Sequence, residues 1–170
     1  MKPDLIKLSN SLHVDADALL KKTDLIKKLS KYGDVYISGS YDLGLMIDGD
    51  IDLFIINKNI DKKKSVGVLN DLISKDDFNG YLYFDWIKRK HVGFPKGYYI
   101  GLKTNFRDRK WKIDIWLVNE IYRPTEKLMS FIKLNLNEKN KKTILSLKYK
   151  AKTKKLDLRS TDIYKRVLNK

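Results

Sequence analysis

Asp50 and Asp52 sit two residues apart at the head of an apolar run, Leu53-Phe54-Ile55-Ile56. In an extended strand that spacing turns both carboxylates to one face. Two carboxylates held so close raise each other's pKa unless a cation lies between them. A hard divalent ion with oxygen ligands resolves that repulsion, which points to Mg²⁺ or Mn²⁺ held by carboxylates and by substrate phosphates. Upstream, Ser38-Gly39-Ser40 follows one apolar segment and precedes a helical turn. Glycine admits close backbone approach, the serine hydroxyl donates, and a helix start adds free N–H groups, so Gly39 and Ser40 suit a phosphate. A two-ion site needs a third carboxylate. Asp114, a lone acid between Ile113 and Ile115 in a strand pattern, is the best candidate. Its alternative is an ion pair with Lys112, and the alternative for Asp50 and Asp52 is a solvated turn. The spacing Asp48-x-Asp50-x-Asp52 also imitates a calcium loop, but Leu53 and Asn59 occupy the positions that need glycine and glutamate. That reading fails.

The elements that must carry these residues follow from hydrophobic periodicity. The pattern predicts helices over Asp15–Lys31 and Asp61–Lys75, with a helical turn at Tyr41–Met46. Strands are expected at Val35–Ser38, Asp50–Ile56, Tyr81–Lys88, Tyr98–Phe106 and Lys110–Val118. A Gly/Pro loop (Gly93, Pro95, Gly97) precedes the fourth of these, and the polar turn Arg107-Asp108-Arg109 joins the last two into a hairpin. Along Lys110–Val118 the alternation puts Trp111, Ile113, Ile115 and Leu117 on one side and Lys112, Asp114, Trp116 and Val118 on the other. After Pro124 the chain reads as two or three helices. The expected fold is α/β (α+β): a mixed β-sheet flanked by helices over residues 1–122, with a basic helical C-terminal extension, 123–170, packed on the same domain.

Composition narrows the classes. The chain has 170 residues and no cysteine, which excludes disulfides, thiolate metal sites and a cysteine nucleophile, and fits a cytoplasmic setting. No apolar run is long enough for a membrane span, and no leader pattern opens the sequence. The formal net charge is +15, from 36 basic and 21 acidic residues, which favours polyanionic partners. That charge is uneven. Lys133 to Lys170 holds thirteen Lys and Arg against three acids, whereas Asp34 to Asp52 holds five acids and no Lys or Arg. An acidic pocket facing a basic flank is one expectation; RNA bound on the basic C-terminal region is another, and a merely solvated lysine-rich face is the plain alternative.

The segments Ile37-Ser38-Gly39-Ser40, Asp50-Ile51-Asp52-Leu53 and Lys112-Ile113-Asp114-Ile115 together resemble the signature of the polymerase-beta-like nucleotidyltransferase superfamily over roughly residues 15–118. Where members often carry Arg-Gly after the Gly-Ser, this chain has Leu43-Gly44. The resemblance implies transfer of a nucleoside monophosphate from an NTP to an acceptor hydroxyl. Asp50, Asp52 and Asp114 would hold Mg²⁺ or Mn²⁺ and activate the hydroxyl, while Gly39 and Ser40 would hold the β/γ-phosphates. The acceptor stays open between an RNA end, a protein and a small molecule. A catalytically idle nucleic-acid-binding or toxin–antitoxin partner module with the same fold is the competing class. Other conspicuous residues carry less. His13 and His91 lack metal-spaced partners, and Trp111 and Trp116 have core spacing. Tyr98, Tyr99 and Phe106 are candidates to stack a base, and Lys103, Arg107 and Arg109 to reach phosphates.

Overall fold

In a computed structural model, described for residues 3–88, 94–121 and 123–168, the order of elements is α1 (Leu5–Lys22), α2 (Leu25–Ser30), β1 (Asp34–Ser38), α3 (Gly39–Asp42), β2 (Gly49–Ile56), α4 (Lys62–Ile73), β3 (Gly80–Asp85), β4 (Gly97–Phe106), β5 (Arg109–Val118), α5 (Arg123–Asn135), α6 (Glu138–Thr153) and α7 (Ser160–Leu168). His91 and Gly93 lie outside the described residues.

The five strands form one mixed sheet in the order β1-β2-β5-β4-β3. Only the β2–β5 pairing is parallel; the other three are antiparallel. The α+β architecture of a mixed sheet flanked by helices is as the sequence predicts. At the β4–β5 turn, Arg107 and Asp108 both have positive φ (49° and 58°), the geometry of a two-residue hairpin that follows the twist of its strands.

Period-2 alternation divides the sheet's faces. Ile51, Leu53 and Ile55 of β2, Ile113, Ile115 and Leu117 of β5, and Ile100 and Leu102 of β4 are buried against Leu12, Ala16 and Leu19 of α1, Leu25 and Leu29 of α2, and Val68 and Leu72 of α4. The opposite face carries the acidic residues and a small cluster of Phe54, Trp116 and Val118 with Tyr36, Ile56, Trp86 and Tyr99 against it. A second core joins Met129 and Ile132 of α5, Ile144, Leu145 and Ala151 of α6, and Ile163 and Tyr164 of α7 to Leu43 and Leu45. Leu5 and Ile6 of α1 pack against it, so the first helix touches both cores.

Three expectations need correction. The first helix starts ten residues earlier than Asp15, because the Asp4 side chain accepts from the N–H groups of Ile6 and Lys7 and caps it there. Asp15 is instead a buried residue in mid-helix, paired with Arg107 and Arg109. The expected single helix to Lys31 is two, since Thr23 Oγ1 bonds back to Leu19 O and Asp24 takes a left-handed φ of 52°. The turn expected over Tyr41–Met46 begins at Gly39, and Leu43 and Leu45 leave it to enter the second core.

Candidate active site

Strand register assembles the site. Asp52 of β2 lies beside Asp114 of β5 and, on its other side, beside Ser38 of β1; Asp50 lies beside Lys112. All of these face away from the first core. Ser38, Asp52, Asp114 and Gly101 therefore form one row across four strands, each strand about 4.8 Å from the next. Asp50, Lys112 and Lys103 form the neighbouring row. The three aspartates from two distant stretches of sequence thus share one small patch, where the single parallel pairing sets β2 and β5 side by side.

Gly39 makes room for that patch. Its φ is +72°, and a Cβ added there would collide with Oδ2 of Asp52. The glycine is thus needed to seat a carboxylate, whatever else approaches its backbone. Ser40 lines a cavity of about 300 Å³ together with Asp48, Asp50, Lys148, Lys152, Lys155 and Ser160. Leu43, at the position where an arginine is frequent in the resemblance, is buried in the second core. Positive charge reaches the cavity from α6 and the segment after it.

Electrostatics mark the two β2 carboxylates as unsatisfied. Burial, reinforced by the charges of Asp50 and Asp114, pushes Asp52 up to about 7. Asp50 rises to about 6, again chiefly through burial, with Lys112 opposing and Asp114 and Asp48 adding to the rise. Asp50 Oδ1 is a buried oxygen with no hydrogen-bond partner. Asp114 is better served: it accepts from Tyr99 Oη at 2.6 Å and from Lys112 Nζ at 2.5 Å. The ion pair weighed as an alternative for Asp114 is therefore present. Lys112 also stands 4.0 Å from Asp50 Oδ1. Burial lowers Lys112, but the Asp114 hydrogen bond and the three carboxylate charges leave it raised overall. Burial and the bond to Asp114 likewise raise the Tyr99 hydroxyl.

Among the described residues, no three of His, Cys, Asp or Glu close into a preformed metal-ligand group. A hard divalent ion nevertheless suits the pair Asp50 and Asp52: both are oxygen donors, one oxygen lacks a hydrogen-bond partner, and burial disfavours the pair's charge. Mg²⁺ commonly takes only one or two protein carboxylates and completes its shell with phosphates and water.

Lys148, Lys152 and Lys155 are the residues that motif reading did not place at the site. Lys148 is buried, donates to Leu45 O at 2.7 Å, and is lowered by that burial to about 8. Lys152 pairs with Asp48 at 2.5 Å, and Lys133 with Asp42 at 2.8 Å. The signal available in the sequence was the contrast between an acidic stretch and a basic tail, and the two do meet. Lys150 and Lys154 are exposed and do not line the cavity that Lys148 lines. Of the remaining candidates, Trp111, Trp116 and Tyr98 are buried, and Phe106 packs against the first core, so Tyr98 and Phe106 are not available to stack a base. His13 stacks on Tyr41 with ring centres 4.8 Å apart. Arg107 and Arg109 are engaged by Asp15 on α1, whereas Lys103 faces the acidic row.

No protein-family model and no curated protein matches the chain. Among solved structures it is similar to a chain in the structure of the GLD-2/RNP-8 complex, with a TM-score of 0.53 and 17% sequence identity, covering 98% of this chain and 59% of that one. The two share a fold, a mixed sheet flanked by helices. This likeness concerns the fold alone, and the chain spans 59% of the length of that neighbour. Among the described residues, no helix is long and apolar enough to cross a membrane.

Proposed function

We propose that the protein transfers a nucleoside monophosphate from an NTP to an acceptor hydroxyl. The observation that carries this reading is the row of carboxylates: Asp52 beside Asp114 with Asp50 one step along β2, on the face turned away from the first core. A structural role explains that row poorly, because three like charges set together cost stability beyond what the single ammonium of Lys112 offsets, and a divalent cation would offset the rest.

In this reading Asp50 and Asp52 hold the divalent ion, Mg²⁺ or Mn²⁺, that accompanies the triphosphate. Ser40, Lys148, Lys152 and Lys155 line the adjoining cavity and receive the phosphates, ammonium groups taking the place of an arginine. Bound ions would supply charge neutralisation of the entering and leaving oxygens. Asp114 takes the proton of the acceptor hydroxyl. The hydroxyl oxygen forms its bond to the α-phosphorus as the bond from that phosphorus to the bridging oxygen breaks, and pyrophosphate leaves. Before that, Lys112 must yield Asp114, which an arriving cation and the acceptor hydroxyl would bring about.

The ion pair between Lys112 and Asp114 also favours a second reading, a catalytically idle module whose lysine has taken the cation's place. Incubation with each NTP and Mg²⁺ or Mn²⁺, followed by measurement of released pyrophosphate, decides between them. Release that disappears in Asp114→Asn supports the transferase; no release with any NTP across a panel of acceptors sinks it.

A further inference from the structure

We propose that the acceptor is a single-stranded RNA whose 3′ end enters along the β4–β5 hairpin, in a groove formed by Lys103, Asn105, Lys110 and Lys112. The fate of its hydroxyl rests on the transferase reading above; the binding surface does not.

Register again builds the surface. Lys112 pairs with Lys103, and Lys110 with Asn105, on the face that carries Asp50 and Asp114. From Asp114, two steps back along β5 reach Lys112 and then Lys110, about 7 Å apart at the usual rise of a strand. These side chains, with Asn79, Asp48 and Asp50, line a cavity of about 530 Å³. The smaller cavity with Lys148 and Ser40 also ends at Asp50. The two cavities therefore share the carboxylates of Asp48 and Asp50. An in-line displacement needs separate places for acceptor and leaving pyrophosphate, since attacking and leaving oxygens stand on opposite sides of phosphorus.

The charges in the groove call for an anion. Lys103 and Lys112 are directly opposite, and like charges in that relation destabilise a sheet. Lys112 is compensated by Asp114 and Asp50. Lys103 and Lys110 are exposed, and neither has an ion pair among the described residues. The same hairpin's two arginines point to α1 and share the single carboxylate of Asp15. The lysines of the hairpin without a carboxylate partner thus lie on the side that leads to the acidic row. Ammonium groups interleaved with the amides of Asn79 and Asn105 match alternating phosphates and ribose hydroxyls, the 2′-hydroxyl included. An acidic peptide would want an apolar seat as well, and Trp111, the aromatic residue lining the groove, is only 2% exposed.

The test is fluorescence anisotropy of a short, labelled, unstructured RNA on the full chain, without NTP, over a range of salt. Replacing Lys103 and Lys110 with Gln removes two phosphate contacts and should make the log–log salt slope shallower by about 1.4, at roughly 0.7 per contact for a single strand. Lys150→Gln with Lys154→Gln, both exposed on the tail, should leave the slope unchanged. A slope untouched by the groove variant, a slope lost in the tail variant, or equal affinity for DNA or polyglutamate overturns the proposal. Circular dichroism melts check that both variants fold. RNA binding that depends on the groove, without pyrophosphate release, would sink the transferase and leave the groove. Release of pyrophosphate onto a non-nucleic acceptor, with no groove-dependent binding, would do the reverse.

Discussion

At the scale of single residues, function and stability pull against each other at Asp52. Its carboxylate is held beside Asp50 and Asp114 in a partly dehydrated pocket, and its raised pKa records what that placement costs. Asp52→Asn should therefore lower pyrophosphate release to background while raising the metal-free melting temperature. At about 1.4 kcal/mol per pKa unit, the rise from 3.8 to about 7 sets an upper bound of about 4 kcal/mol on the gain at neutral pH, measurable by urea denaturation. A destabilised Asp52→Asn protein would show that the carboxylate supports the fold instead. Gly39 behaves differently. Any side chain there meets both a left-handed φ and the Asp52 carboxylate, so Gly39→Val should impair metal binding and NTP binding together. Calorimetry that found NTP binding weakened but metal affinity unchanged would separate the two roles. That Asp50 and Asp52 share a face was legible in the sequence because spacing on a strand dictates which way a side chain points, whereas the fit of Gly39 against Asp52 was not, since it depends on how the turn after β1 folds over β2. Lys112 was legible only as a rival partner for Asp114, since its approach to Asp50 depends on which strands become neighbours.

At the scale of elements, the strands were easier to read than the helix boundaries. Alternation along Lys110–Val118 fixed both the strand and its two faces, down to Trp111 in the first core and Trp116 against the second face. The first helix was misplaced because a lone Asp4 cap outweighs the weak periodicity at its start. The split after Lys22 depends on a left-handed Asp24 that no period announces. Lys148 could not be foreseen at the site, because its reach depends on how α6 docks. That docking rests on Leu43 and Leu45, which leave α3 and enter the core of the C-terminal helices. Leu45 is fully buried, and its carbonyl holds Lys148. Leu45→Ala should cost about 2–5 kcal/mol through the cavity it leaves. Because the same change loosens α6, the KM for NTP should rise while RNA affinity at the hairpin is spared. A variant whose NTP and RNA affinities fell equally would argue against α6 as a separate wall of the donor cavity.

At the scale of the whole molecule, the acidic row and the buried lysine impose a pH dependence of their own. Asp50 and Asp52 have folded-state values of about 6 and about 7, above the ordinary carboxylate value, so the folded protein binds more protons than the unfolded chain between about 4 and 7. Stability from this pair is complete below that window and is lost as pH rises through it. Lys148 has the opposite shift, from an ordinary 10.5 to about 8, so its contribution is complete above the unfolded value and lost as pH falls through 8. The two effects leave their combined minimum between about pH 7 and 8, where Asp52 is charged in its pocket and Lys148 is still protonated in its own. Net charge of +15 adds a broader trend, because self-repulsion relaxes as the lysines lose protons. The local effect is therefore read as a difference. Urea midpoints for the wild type and for Asp52→Asn should converge near pH 4 and separate steadily up to about pH 7, the variant being the more stable. Added Mg²⁺ with NTP should close the gap at pH 7.5 by stabilising the wild type alone, since a ligand that binds only the folded state adds stability that grows with the logarithm of one plus the ratio of its concentration to its Kd. A gap that stayed constant from pH 4 to 7, or that metal and nucleotide failed to narrow, would mean that the carboxylate pair is neither strained nor the place where the cation binds.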